Sequence, residues 1–415
     1  MHVHFHGPPE PATIPAMKQG AMMRTFGTEE EFMFLDRSTL RPQNVSAEVQ
    51  SLLRGRSQSG SLGTEFVAPG FITPGFITPG FITPELVPPE LVHSEFLTSQ
   101  IEHSSPVFEH LDQAEATLLS FRSRLAAAAA AQDALAAGVG TPFQGSDSPE
   151  VTDTVRYRRV EAELRGLVPE NLINGLHVHV GIPNRQAGVA ALNHVRVWLP
   201  VLQALSGNSP FWNGRDTGFT SWRSIHARRW STAGCPPHFA DAADYDRRAR
   251  SLIGVGGTLD LHTIWWGARL AEKYPTLEVR VCDAQLDTRS SLLLTALTRA
   301  LVSTALADAD RDTAPSRLEP ELLDASLWHA ARDGVQSNLL DPISGELAPA
   351  RVVVTALFGA VSDALEEAGD ADRVRELLDR FWRLGTGAER QRAAFATGGP
   401  RALGVLLRDS VSAAD

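Results

Sequence analysis

The chain has 415 residues, 43% of them hydrophobic and 21% charged, which fits a globular fold of one large domain or two ordinary ones. A formal net charge of -11 with no basic stripe opposes nucleic acid as a partner, and no apolar run reaches the roughly 18 to 20 residues of a membrane span. Two cysteines, Cys235 and Cys282, exclude a disulfide framework and a C-x-x-C zinc site.

Residues 1–23 are rich in Pro and His and read as a flexible leader, in which His2, His4 and His6 belong to a tail and not to a metal site. The leader lacks the basic-then-apolar pattern of a secretory signal, so a cytoplasmic location is expected. Residues 24–410 are expected to form one domain, followed by a tail at 411–415. Thr25 to Leu35 alternates β-favouring residues with carboxylates and predicts a strand, closed by a turn over Asp36 to Arg41. Gly-Phe-Ile-Thr-Pro then occurs three times from Gly70 to Pro84, inside a proline-rich insertion at about 68–90. Proline every five residues removes backbone donors, so a surface excursion is expected there, and three short copies do not make a solenoid.

Val107 to Ala137, closed by Gly138, has helical periodicity, and a second helix is predicted over Val155 to Leu167. Leu172 to Ile182 and Thr276 to Cys282 show the period of two that marks strands. After Ser290 the pattern turns helical, most clearly over Leu292 to Ala307, Val352 to Ala368 and Ala371 to Leu384. Strands with one charged face, between groups of helices, predict an α+β domain built on an antiparallel sheet whose charged face is the functional one.

On the first strand Glu29 and Glu31 share a face, while Thr28 and Glu30 take the other. Two adjacent anions fit either a magnesium site or a solvated surface. Glu95 and Glu102 are seven apart, and share a face on a helix but not on a plain strand. His177 and His179 share a face of a strand flanked by Gly175 and Gly181, which fits a ligand site, a pair of satisfied core histidines or the H-x-H strand of zinc amidohydrolases. Against the last, no regular β-α repeat surrounds it. Glu278 and Arg280 also share a face, as a metal ligand beside a guanidinium suited to phosphate or as a simple ion pair. Together these groups are what a sheet-floored site for a metal-bound triphosphate requires.

These residues resemble the ATP-dependent carboxylate-amine ligases, the type 2 glutamate-cysteine ligases. The resemblance rests on GTEEEF at 27–32, SQIEHSSP at 99–106, GLHVHVGIP at 175–183 and LSGNSPFWNGRDTGFTSWR at 205–223. IWWGAR at 264–269, TLEVRVCD at 276–283, AARDG at 330–334 and GTGAERQR at 385–392 extend it. It implies a glutamine synthetase-like fold, a curved antiparallel sheet holding ATP and Mg2+ on its concave face with helices outside. It also implies Glu29, Glu31, Glu95, Glu102, His177 and Glu278 as metal ligands, with Glu29 and Glu278 serving catalysis. His177 and His179 fall on the nucleotide side, Arg280 as the phosphate clamp, and Arg215, Phe219, Arg223 and Arg269 on the substrate side. The implied reaction phosphorylates a carboxylate, glutamate by default, and joins it to an amine, cysteine by default, through an acyl phosphate with release of ADP and phosphate. Phe219 replaces a customary Tyr and Gly267 a customary Asp, which bears on the amine. A homo-oligomer is left open. A non-catalytic protein on the same scaffold is the third reading, and retention of all five carboxylates opposes it.

Overall fold

The computed structural model describes residues 24–55, 91–146 and 148–413; the leader and the Gly-Phe-Ile-Thr-Pro repeat lie outside the described residues. Along β1 (Phe26–Asp36) Phe26, Thr28, Glu30 and Phe32 are buried, with half-buried Gly27, Glu29 and Glu31 between them. That alternation is the two-residue period of a strand with one face on a core. Next come β2 (Val92–Ser94), β3 (Gln100–Ser104), β4 (Ala134–Ala137) and β5 (Gly175–Gly181). After a two-residue hairpin of β6 (Phe211–Trp212) and β7 (Arg215–Asp216) follow β8 (Ala268–Leu270) and β9 (Thr276–Asp283). Seven of these form one antiparallel sheet in the order β2-β3-β1-β5-β9-β8, with β4 alongside the far end of β1. The α+β class with an antiparallel sheet is therefore the observed one.

One face of the sheet packs on helices. Glu30 points into that core, where Arg122 of the helix Leu111–Ala130 grips its carboxylate through Nε at 3.1 Å and Nη2 at 2.5 Å. Ser291 Oγ donates to the same carboxylate at 2.6 Å, and Arg122 also donates to the carbonyls of Gln285 and Leu286. Burial opposes the charge on Glu30, but Arg122 outweighs it and holds the carboxyl below its ordinary range.

Ser291 belongs to the helix Thr288–Asp310, capped by Asp287, whose side chain accepts from Ser290 N. By length and composition this helix could cross a membrane, although Arg299 interrupts its apolar run. Here 78% of its most apolar window is buried inside the fold, and Arg299 is paired with Asp370 at 3.1 Å. Its apolar character serves the core.

Three predicted helices are shorter or broken. The segment from Val107 is helical only over Leu111–Ala130; Asp133 adopts a left-handed φ of 55°, and Ala134–Ala137 pairs with β1 as β4. Alanine favours helix locally, but the end of β1 offers an open ladder, and tertiary pairing wins. The helix beginning at Val155, capped by the Thr154 side chain, ends at Leu164 and passes into a 3-10 turn over Arg165–Glu170 that contains Pro169. Val352 to Ala368 divides at Val361 into Ala350–Ala360 and Ser362–Ala368.

Glu30→Leu strands a charged Arg122 in the core and is expected to cost about 3–5 kcal/mol, whereas Glu30→Leu combined with Arg122→Met recovers most of that loss. Denaturant unfolding of the single and double variants measures both; equal losses would show that the pair is not the coupled unit.

Candidate active site

Antiparallel register assembles the site from cross-strand neighbours. Glu31 on β1 stands opposite Glu102 on β3, and Glu29 opposite His177 on β5. His179 stands opposite Glu278 on β9, which in turn faces Arg269 on β8. Facing side chains on paired strands lie about 4.5–5.5 Å apart at Cβ, so these groups must interact. Glu95 joins from the turn after β2. It and Glu102 lie on neither one helix nor one strand: the chain reverses between β2 and β3, which returns Glu102 to the same face.

The acidic and imidazole groups separate into two sets. Donor oxygens of Glu31, Glu95 and Glu102 lie within 4.8 Å of one another, and so do donor atoms of Glu29, His177 and Glu278. In the first set Glu31 accepts from Gly175 N at 2.6 Å, Glu95 from Phe96 N at 2.7 Å and Glu102 from Ser104 Oγ at 3.1 Å. In the second, His177 Nδ1 meets Glu29 at 3.0 Å and His179 Nε2 approaches the same carboxylate at 3.3 Å. His179 Nδ1 bonds Thr276 Oγ1 at 2.9 Å, which orients its ring.

Electrostatics distinguishes the sets. Burial, reinforced by Glu95, pushes the Glu31 carboxyl up to about 8. Burial also raises Glu95, and burial with the charges of Glu29, Glu95 and Glu31 drives Glu102 well above its ordinary value. Three oxygens held this way require protons or a cation, and an all-oxygen set suits a hard ion such as magnesium. In the second set burial opposes ionisation of Glu29, but hydrogen bonds from His177 and His179 hold it well below the usual range. Burial lowers His177 to about 4, so its imidazole is neutral and able to act as a ligand. Among the described residues the Nε2 atom of His177 has no hydrogen-bond partner, and Glu31 stands 3.6 Å from it.

Glu278 is held by two guanidinium groups. Arg269 donates to it through Nε at 2.9 Å and Nη2 at 3.3 Å, and Arg280 Nη1 donates as well. Burial notwithstanding, Arg280 and Arg269 keep its carboxyl far below the ordinary range. The guanidinium of Arg280 also lies 5.6 Å over the ring of Trp265, whose indole stacks on Trp230 at 5.3 Å.

Trp265 and Arg280 line two cavities. The larger, about 290 Å³, contains both donor sets together with Arg269 and Tyr157. The smaller, about 50 Å³, is bordered by Arg223, Arg228, Gln203 and Gly267. A side chain at Gly267 would have its Cβ 3.3 Å from Leu199 and 3.6 Å from the Gly234 carbonyl, so a carboxylate there is crowded by backbone and core. Arg215 is exposed on the β6-β7 hairpin and lines neither cavity. Phe219 also lies outside both, its ring against Trp222 and Trp328 at 5.2 and 5.7 Å. Tyr157, whose Oη donates to Ser94 O at 3.0 Å, and Trp230 are lining residues that sequence reasoning did not single out.

The zinc amidohydrolase alternative is not supported. His177 and His179 occupy the middle of an antiparallel sheet and not the first strand of a β-α barrel.

The fold is shared with solved ligases at low sequence identity. A Francisella tularensis glutamate–cysteine ligase solved in complex with AMP superposes with a TM-score of 0.57 at 12% identity, covering 94% of this chain and 88% of that one. A bifunctional glutathione synthetase from Pasteurella multocida gives 0.59 at 14% identity, over 94% of this chain and 52% of that one. The chain belongs to glutamate-cysteine ligase family 2, whose family model matches residues 25–403. It is therefore a ligase that forms carbon–nitrogen bonds. A Salinispora arenicola protein provisionally named glutamate--cysteine ligase 2 is 35% identical over 368 residues, 89% of each chain. A Frankia alni protein provisionally named glutamate--cysteine ligase 2-2 is 42% identical over 301 residues, 72% of this chain and 78% of the relative.

The raised Glu31 carboxyl carries a sign. A folded-state value of about 8 against an ordinary 4.5 means that the folded protein holds this proton more tightly than the unfolded chain. Its contribution is therefore complete below the ordinary value and is lost as pH rises through 8. In chelator, the melting temperature of the wild type is expected to fall between pH 6 and 8.5, Glu31→Gln to flatten that fall, and magnesium at pH 8.5 to restore the loss in the wild type only.

Proposed function

We propose that this ATP-dependent ligase binds its nucleotide with magnesium in the larger cavity, phosphorylates a carboxylate and couples it to an amine, with glutamate and cysteine as the default pair. The observation that carries this reading is the convergence of two three-donor sets and Arg280 on one sheet face. Glu31, Glu95 and Glu102 would hold one cation and Glu29, His177 and Glu278 another. Cations held by these residues would supply positive charge that offsets the charge of the phosphate oxygens. The glutamine synthetase-like concave site with ATP fits the same arrangement.

This chain's residues then have separable tasks. The substrate carboxylate oxygen attacks the γ-phosphorus, ADP leaves, and the neutral amine attacks the resulting acyl phosphate at carbon, expelling phosphate and giving up one N–H proton to it. Arg280, which reaches Glu278 through Nη1 and whose Nε has no partner among the described residues, presents a planar fork to the transferring group and can trade the Nη1 contact for phosphate oxygens. Arg269 keeps its grip on Glu278 during that trade, because its Nη1 is also tied to the carbonyls of Leu261, His262 and Ile264. Trp265 packs against Arg280 and limits the directions the guanidinium can take. His179, tied to Thr276, steadies Glu29. No side-chain nucleophile is needed.

ADP and phosphate are the expected products, with a hydroxamate trapped by hydroxylamine; AMP and pyrophosphate would overturn the mechanism. Glu278→Gln should regain activity at high magnesium, since mass action refills a weakened site. Arg280→Lys should lose kcat more than affinity for ATP and gain nothing from magnesium, because it keeps the charge and loses the fork. Steady-state rates across a magnesium series separate the two.

A further inference from the structure

We propose that Arg223 is a positioning residue that aims Arg280 by clamping a β-bulge in β9. The role of Arg280 in this inference rests on the ligase reading above. The bulge is seen in the register of β5 against β9: Leu176 pairs with Cys282 but Val178 pairs with Val279. Two residues, Arg280 and Val281, therefore stand opposite His177 alone. A bulge of this kind leaves backbone groups outside the ladder and re-aims the side chain it carries, here the guanidinium between Glu278 and Trp265.

Arg223 closes the gap. Its Nη2 donates to the carbonyl of Arg280 at 3.2 Å and its Nη1 to the carbonyl of Val281 at 3.3 Å, one donor for each residue of the bulge. The side chain is almost wholly buried, at 3% exposure. Its own backbone is fixed from the same strand: Arg223 N donates to Ser209 Oγ at 3.0 Å, and Ser209 Oγ donates to Asp283 at 2.6 Å. Ser221 Oγ donates to the other oxygen of Asp283 at 2.7 Å. Asp283 ends β9, so the short helix Trp222–Ala227 that carries Arg223, capped by Ser221, hangs from one end of the strand and grips it again at the bulge.

Gly175 gives the clamp its room. A methyl group there would clash with Nη2 of Arg223 and approach His177 Nε2 to 3.0 Å. An arginine held by two carbonyls cannot simply swing aside, so the glycine is needed at a position where its backbone conformation alone does not demand it.

The test is a kinetic double-mutant cycle with thermal unfolding of every variant. Arg223→Gln is expected to lower kcat by up to about 100-fold, the order that a misplaced catalytic group loses, and to leave KM for the carboxylate and amine substrates within about twofold. Gly175→Ala should reproduce that pattern by displacing the Arg223 guanidinium while residue 223 remains arginine. In an Arg280→Lys background either change should have less than about a twofold effect, because the group being aimed is already lost. A raised KM for the carboxylate with kcat preserved would make Arg223 a substrate contact and overturn the inference, as would an undiminished loss in the Arg280→Lys background. If the wild type turns over no nucleotide, the ligase reading fails instead. The clamp is then judged from the melting temperatures of the same cycle, where additivity of Arg223→Gln and Arg280→Lys would overturn it and non-additivity would support it.

Discussion

The register of β1 is the constraint on which the site depends. Because side chains alternate with a period of two, a slip of one residue would send Glu30 to the cleft and turn Glu29 and Glu31 into the helical core. The Glu30 pair with Arg122 opposes that slip: only one register gives the buried guanidinium its carboxylate, and Ser291 and two carbonyls complete the shell. The charge on the back of the strand thus fixes which charges appear on its front. Such pairs seldom add much net stability compared with a well-packed apolar substitute, so specification of register is the role that suits this one.

The front face stores electrostatic tension. Glu31, Glu95 and Glu102 are each pushed toward the protonated form, while Glu29, two residues from Glu31 on β1, and Glu278, two strands away on β9, are held ionised by imidazoles and guanidinium groups. Two environments for chemically identical side chains arise from which neighbours the sheet supplies. A cation in the first set relieves repulsion already built into the fold. A cation in the second competes with arginine for Glu278.

Much of this was legible in the sequence, for identifiable reasons. Strict alternation on β1, β5 and β9 announced which of Glu29, Glu31, His177, His179, Glu278 and Arg280 share a face, since a strand's period needs no tertiary information. The relation between Glu95 and Glu102 was not legible, because it depends on a chain reversal whose geometry no local periodicity encodes. The same limit explains β4: Ala134–Ala137 has no β character of its own and is a strand only because β1 offers it a partner. Arg122 carried no sequence signal beyond sitting in a helix. Family resemblance marked the stretch from Arg215 to Arg223 as one loop, yet Arg215 stands on an exposed hairpin and Phe219 in an aromatic cluster, while only Arg223 reaches a cavity.

The wall formed by Trp265 and Arg280 divides two cavities that differ in the charges of their lining. The larger cavity mixes Glu29, Glu31, Glu95, Glu102 and Glu278 with Arg156, Arg269, Lys273 and Arg280, whereas among the described residues the smaller is bordered by three arginines, Arg280 again among them, and no carboxylate. An anion in the smaller cavity therefore meets guanidinium groups alone, whereas one in the larger meets carboxylates and cations together. Gly267 preserves the contrast, since an aspartate there would carry negative charge into the arginine-lined side. The partition thus sorts what may settle where by charge before any shape is read.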